Sequence, residues 1–275
     1  MTEQLQRGGL GYKESPIDIR DYKCKKAAVK LMANSFPETY ECPIKTPIKN
    51  QGGVSSCVAH SAAEVLEYHY VEKTFSTNFI YGIHKKLYGS NGPGMFLREA
   101  AKIMKDYGDP EYNFCKGNTE VDDVYAIANE TFINPEAMNN AKKYRISKYA
   151  RVSSVNDIKY ALMNYGPVLG AIIWYVDNRM PNGVLEQGTV IDGGHAIVVR
   201  GWNQEGWICQ NSWGALWGRK GYFILPYDYP LVEAYSIIPG EEGEPQDDIV
   251  TPTFADFIYK IINSVINFFR KLLNI

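Results

Sequence analysis

Three short segments of this 275-residue chain hold side chains that could do chemistry. In the first, Cys57 follows the small-residue run Gln51-Gly52-Gly53-Val54-Ser55-Ser56. After it, Val58, Ala62, Val65, Leu66, His69 and Tyr70 recur near a 3.6-residue period, which predicts a helix from Cys57 to Glu72. A cysteine at a helix start meets free backbone N–H groups and the positive end of the helix dipole, which favour the thiolate that a nucleophile needs. A lone cysteine is more often a small apolar filler of a core. In the second segment, Asp192-Gly193-Gly194-His195-Ala196-Ile197-Val198-Val199, one of four histidines stands at the mouth of an apparent strand. In the third, Asn211-Ser212-Trp213-Gly214-Ala215-Leu216-Trp217-Gly218 puts an amide and two indoles in a glycine-rich loop.

The elements that must position these residues come in two groups. Besides the helix at Cys57, the pattern predicts helices over Phe96–Tyr107, stopped by Gly108, and over Val155–Tyr165, stopped by Gly166-Pro167. The short apolar runs 168–174, 196–199, 206–210 and 221–224 read as strands. Helices first and strands second imply an α+β protein of two packed halves with a cleft between them.

Taken together, the three segments resemble the papain-like cysteine peptidases in order, spacing and local sequence. His195 follows Cys57 by 138 residues and Asn211 follows it by 154, near the downstream interval of about 130–150 found in that family. The family's pattern around the nucleophile is partly kept: Val54 replaces its first Cys, Ser55 its Gly and Val58 its aromatic residue. The first change removes a disulfide partner typical of secreted members. The resemblance spans roughly residues 10–238 and is nearest to bacterial-type members without a long propeptide, with the Asp18–Tyr22 arm, Cys42-Pro43 and Gln51–His60 in matching order.

The resemblance implies a two-lobed fold, with a helical lobe over about 50–150 and an antiparallel, β-barrel-like lobe over about 151–240 plus an N-terminal strand. It implies a cysteine endopeptidase acting on polypeptides, with Cys57 as nucleophile, His195 as general base and acid, and Asn211 orienting the imidazole. Trp213 would cover the His–Asn hydrogen bond, and Gln51 would complete an oxyanion hole with the Cys57 backbone N–H. Gly89–Ala100 resembles the strip along which a substrate backbone pairs, with Gly92 and Gly94 admitting the chain, Met95 and Phe96 shaping an apolar pocket, and Gly194 leaving the opposite wall bare. A glycine-rich helix entry is the plainer reading of that segment. His60, one turn into the helix, is expected to pack in the core. No cofactor or metal site is expected, since His69 and His84 lack partners at ligand spacing. An acyltransferase or amidase on this scaffold, or a protease-fold delivery module, are the alternative functions.

The formal net charge of −2 gives no general attraction to nucleic acid. Five cysteines with no C-x-x-C pair fit free thiols in a reducing compartment, and the N-terminus lacks a signal-peptide pattern, so a cytoplasmic location is expected, with peripheral-membrane or virion association as the alternative. Residues 1–36 read as an arm, too short for a separately folded inhibitory domain, so the enzyme is expected to be active as synthesised or after slight trimming. The domain spans 37–240. Residues 241–252 read as a linker, with five acidic residues between Gly240 and Asp248. Residues 253–275 open with a Thr253-x-x-Asp256 capping box and carry an apolar stripe through Leu273, an amphipathic helix about 34 Å long. It suits a membrane interface, a helical partner, or docking on its own body. The interfacial reading predicts that a 253–275 peptide gains helical circular dichroism on anionic vesicles; no gain removes that reading.

Overall fold

The computed structural model describes residues 8–16, 18, 36–43, 46–70, 72–88, 92–116 and 133–240. The chain divides into two units, Met1–Gly243 and Glu244–Ile275. The predicted linker 241–252, the amphipathic helix 253–275 and most of the Asp18–Tyr22 arm lie outside the described residues.

In chain order, the elements are β1 (Tyr12–Lys13), β2 (Tyr40–Glu41), α1 (Cys57–His69), α2 (Thr77–Tyr88), β3 (Met95–Phe96), α3 (Leu97–Asp106), α4 (Pro135–Ala141) and β4 (Ile146–Arg151). They continue with α5 (Val155–Tyr165), β5 (Val168–Tyr175), β6 (Ile191–Trp202), β7 (Gly206–Gln210), β8 (Tyr222–Pro226) and β9 (Leu231–Pro239). Six strands form an antiparallel sheet in the order β4-β9-β5-β6-β7-β8, and β2 adds to β6. The expected α+β division holds. The sheet is open among the described residues, since β4 and β8 stand at its two ends, so the barrel-like lobe is not a closed barrel.

Alternation along β5 and β6 explains how two halves share one wall. Leu169, Ala171, Ala196 and Val198 face a core built with α1, α2 and α3, while Val168, Ile172, Ile197 and Val199 face a second core with Trp202, Phe223, Leu225 and the Ile158–Leu162 side of α5. The two-residue period of a strand sends neighbouring side chains into opposite cores. Helix α1 is buried from Cys57 through Glu67, so its sequence is apolar or small on most sides.

Helix ends follow local chemistry. A reciprocal capping box joins Ser154 and Asp157 at the start of α5. Gly108, at φ +81°, ends α3 by donating its N–H to Ile103 and Met104. Helix α1 stops at His69, three residues before the expected end, because Tyr70 turns to pack edge-on against Phe75 and Tyr144 and Glu72 takes φ +67°. The sequence pattern does not show α2, whose aromatic, β-branched and glycine residues are poor helix formers. Its Phe79, Ile80, Tyr81 and Ile83 are all buried, which blurs the amphipathic period.

Beneath α1 lies a small charged cluster. Lys49 Nζ pairs with Glu67 at 2.7 Å, and the Lys49 backbone N–H reaches Glu64 at 3.4 Å. Asp109 is wholly buried beside them. Burial pushes Glu64 from its ordinary 4.5 up to about 8, so the fold keeps it protonated where the unfolded chain ionises it. Its contribution to stability is complete below about pH 4.5 and is lost as pH rises through about 8. Glu64→Gln should therefore flatten the fall in melting temperature between pH 5 and pH 8; an unchanged slope would show that Glu64 carries none of it.

Candidate active site

The loop before α1 is wound tightly, with Val54 N–H donating to Gln51 and Ser56 N–H to Val54. This winding sets Cys57 as the first residue of α1 with its thiol against β6, where the Ala196 N–H donates to Sγ at 3.4 Å. His195 precedes that amide on β6, opposite Ile172 of β5. Its Nε2 lies 2.8 Å from Asn211 Oδ1, and its Nδ1 has no hydrogen-bond partner among the described residues. The Asn211 backbone is held in turn by Gly221, to which its N–H donates at 2.9 Å.

Trp213 lies on the imidazole with ring centroids 4.5 Å apart and planes tilted by 33°. Trp174 closes the edge, 5.8 Å from His195 and 4.8 Å from Trp213. These rings keep water from the His–Asn bond. Gln51 is fully buried; its Oε1 accepts the Ser212 hydroxyl at 2.6 Å, which turns its Nε2 into the cleft.

The structure thus gathers Cys57, His195, Asn211, Gln51 and Trp213 in one place. His60 stays in the core, with Nδ1 3.0 Å from the Ser56 carbonyl. Cys42, Cys115 and Cys209 are buried free thiols; Cys24 lies outside the described residues.

The cleft is filled by the N-terminal arm. Gly9 N–H donates to Gly52 O at 2.9 Å, and Gln51 Nε2 donates to Gly9 O at 2.7 Å, as it would to a substrate carbonyl. Gly11 N–H donates to Gly194 O, and Met95 N–H donates to Gly11 O. β1 then runs parallel to β3, with Tyr12 opposite Met95 and Lys13 opposite Phe96. Glycine is required where the chains cross: a Cβ on Gly11 would stand 2.1 Å from Ser55 O, and one on Gly94, at φ +81°, 2.3 Å from Gly11 O. Gly92 has no such constraint, since a Cβ there would meet nothing within 4 Å. The segment is both strip and helix entry, since α3 begins directly after Phe96.

Of the two expectations, activity as synthesised or after slight trimming, this placement fits the second. Cys57 is fully covered, and burial raises its thiol to about 11 against the pull of nearby N–H groups. Burial also lowers His195 to about 4, against the Asn211 hydrogen bond. Under the arm, the pair is a neutral thiol and a neutral imidazole at pH 7.

The wider comparison agrees with the geometry. The pattern of the family described as "Papain family cysteine protease" matches residues 37–230. The chain belongs to the papain family. It is 28% identical over 256 residues to a cysteine protease of Blomia tropicalis, covering 81% of this chain and 71% of that protein. It is 29% identical over 270 residues to an uncharacterised peptidase C1-like protein of Acanthamoeba polyphaga mimivirus, covering 83% and 84%. In fold it is similar to xylellain, a cysteine protease from Xylella fastidiosa, with TM-score 0.74, 21% identity and coverage of 86% and 98%. It is likewise similar to procathepsin B from Trypanosoma congolense, with TM-score 0.66, 17% identity and coverage of 85% and 87%. A papain-family protease is a hydrolase of polypeptides.

Two residues that the sequence pattern did not single out hold the strip from below. From α2, Tyr81 Oη accepts the Gly94 N–H at 3.0 Å, and Lys85 Nζ donates to the carbonyls of Gly92 and Gly94 while lying 4.7 Å from the Tyr81 ring centre. Their helical spacing, i and i+4, was visible; their target was not. Desolvation and then Lys13 lower Lys85 to about 8, still largely protonated at pH 7. Lys85→Met should raise KM for peptides roughly tenfold, the worth of a charge-assisted hydrogen bond, with little change in kcat; an unchanged KM would count against this support.

Proposed function

We propose that the chain is a latent cysteine endopeptidase whose own N-terminal arm occupies the substrate cleft. The observation that carries this reading is the Gly9–Tyr12 segment hydrogen-bonded to Gln51, Gly194 and β3 over a buried Cys57. The arm is fastened at its far end. Tyr12 Oη donates to Glu233 Oε2 at 2.8 Å, the Ser15 N–H donates to the same oxygen at 3.2 Å, and the Ser15 hydroxyl accepts the Arg98 N–H. Burial and the Glu233 charge push the Tyr12 phenol well up, so it stays a donor.

With the arm lifted, water returns to Cys57 and His195, and the proton passes from Sγ to the free Nδ1 of His195. The thiolate attacks the peptide carbonyl carbon, and the charge on its oxygen is met by Gln51 Nε2 and the Cys57 N–H. Loss of one such donor costs about 2.7–4 kcal/mol. As the C–N bond breaks, its electron pair stays on nitrogen and His195 returns the proton to the leaving amine. His195 then takes a proton from water, hydroxide attacks the thioester, and the C–S bond breaks to release the acid and the thiolate. Asn211 Oδ1 keeps Nε2 occupied throughout, so that Nδ1 remains the working nitrogen.

The cysteines that are free among the described residues favour a reducing, cytoplasmic setting, and the apolar stripe in the sequence of residues 253–275 would supply contact with a membrane surface or a helical partner. The test is reactivity of the full chain. Cys57→Ala should abolish peptide cleavage and labelling by a peptidyl epoxide. Tyr12→Ala, which removes a hydrogen bond to a charged group, should raise the labelling rate at pH 7 by about ten- to a hundredfold. Equal rates with and without Tyr12 would refute latency, and cleavage that survives Cys57→Ala would refute the mechanism.

A further inference from the structure

Two turns below the nucleophile, α1 carries a carboxyl that touches both segments on which the site is built. Glu64 follows Cys57 by seven residues on this helix and is wholly buried. Its Oε1 accepts the N–H of Lys49, two residues before Gln51, at 3.4 Å. The carboxyl also faces the side-chain amide of Gln210, the residue before Asn211. Neither Glu64 Oε2 nor that amide makes a hydrogen bond to any other group among the described residues. The two segments are themselves paired. Gln51 N–H donates to Ser212 O at 2.8 Å, Gly214 N–H donates to Lys49 O at 2.9 Å, and Asn50 pairs with Trp213. The nucleophile helix, the loop of the oxyanion donor and the loop of Asn211 and Trp213 thus converge on one side chain.

We infer that Glu64 is a positioning residue of the peptidase reaction, holding Asn211 at the depth where it meets His195. The inference rests on the peptidase reading. Neighbouring residues of an extended chain point opposite ways. As the chain leaves β7, the Gln210 side chain therefore turns toward α1 and that of Asn211 toward His195. Fastening Gln210 from α1 fixes the Asn211 end of the 2.8 Å bond relative to Cys57, which begins the same helix. The ionisable groups around Glu64 are Lys49, Glu67 and, behind them, Asp109; His60 lies one turn back on α1 and is kept neutral by burial. Lys49 Nζ is engaged by Glu67, and burial keeps Glu64 protonated at pH 7. A protonated carboxyl both accepts and donates, which suits a backbone N–H on one side and an amide on the other. An apolar side chain would fill the same space without the cost of burying a polar group, so the carboxyl is there for its directional contacts.

The experiment reads kcat and KM for a fluorogenic peptide amide at pH 7 in the full-length chain carrying Tyr12→Ala, so that the cleft is open. Glu64→Leu, which fills the space without the hydrogen bonds, should lower kcat about tenfold and leave KM unchanged, since Glu64 touches no substrate. Glu64→Gln keeps a donor and an acceptor and should restore kcat to within about threefold of the parent. With Asn211→Ala also present, Glu64→Leu should cost less than about twofold, because the residue it positions is gone. Gln210→Met removes the amide from the other side and should show the same loss of kcat and the same dependence on Asn211; it serves where Glu64→Leu does not fold. An equal loss with and without Asn211, a rise in KM in place of a fall in kcat, or no restoration by glutamine would overturn the proposal. Failure of the peptidase reading itself is distinct: the Tyr12→Ala parent cuts no amide and the peptidyl epoxide leaves Cys57 unlabelled.

Discussion

Everything at the site depends on a strand buried on both faces. β6 lies between β5 and β7 and separates two cores, so its register cannot slip by one residue without sending Ala196 and Val198 into the wrong half. That register fixes His195 on one side and the Ala196 N–H, aimed at the Cys57 sulfur, on the next. Helix α1 is seated on the same strand, and its N-terminus can therefore present the thiol at one height only. The chemistry needs two groups from distant parts of the chain to meet, and packing alone brings them together. No disulfide joins them among the described residues; Val54, where a bridge is typical of secreted relatives, is instead a core residue.

The arm uses the cleft as a substrate would, through backbone hydrogen bonds, and differs from a substrate in being glycine-rich where it passes the sulfur. Close approach of the arm and burial of the thiol are one event. Burial raises the Cys57 thiol and lowers the His195 imidazole, and both shifts disfavour the ion pair needed for attack. In the latent state proposed above, the restraint is electrostatic as well as steric, because the arm excludes the water that would stabilise charge.

Much of this was legible in the sequence, and the misses have physical causes. Cys57, His195 and Asn211 were legible because their order and spacing resemble those of the papain-like peptidases. The terminations at Gly108 and Gly166 were legible because glycine alone takes positive φ without penalty. Helix α2 was not, since a helix buried around much of its surface shows no stripe. Tyr81, Lys85 and Glu233 were not, since each acts on a partner that only the tertiary fold brings near. The route of the arm was the largest surprise, and its signal was there: three glycines in Gly8-Gly9-Leu10-Gly11 are more than an outer strap requires.

The contact between Tyr12 and Glu233 has a consequence for how such a sequence can drift. One oxygen atom holds a phenol from position 12 and a backbone amide from position 15, so a change at position 233 is felt 218 and 221 residues away in the chain. Substitutions at positions 12 and 233 are therefore not independent trials. A lineage can exchange either residue only in company with the other, or pass through an ancestor whose restraint has already failed, and residues 12–15 inherit the history of β9.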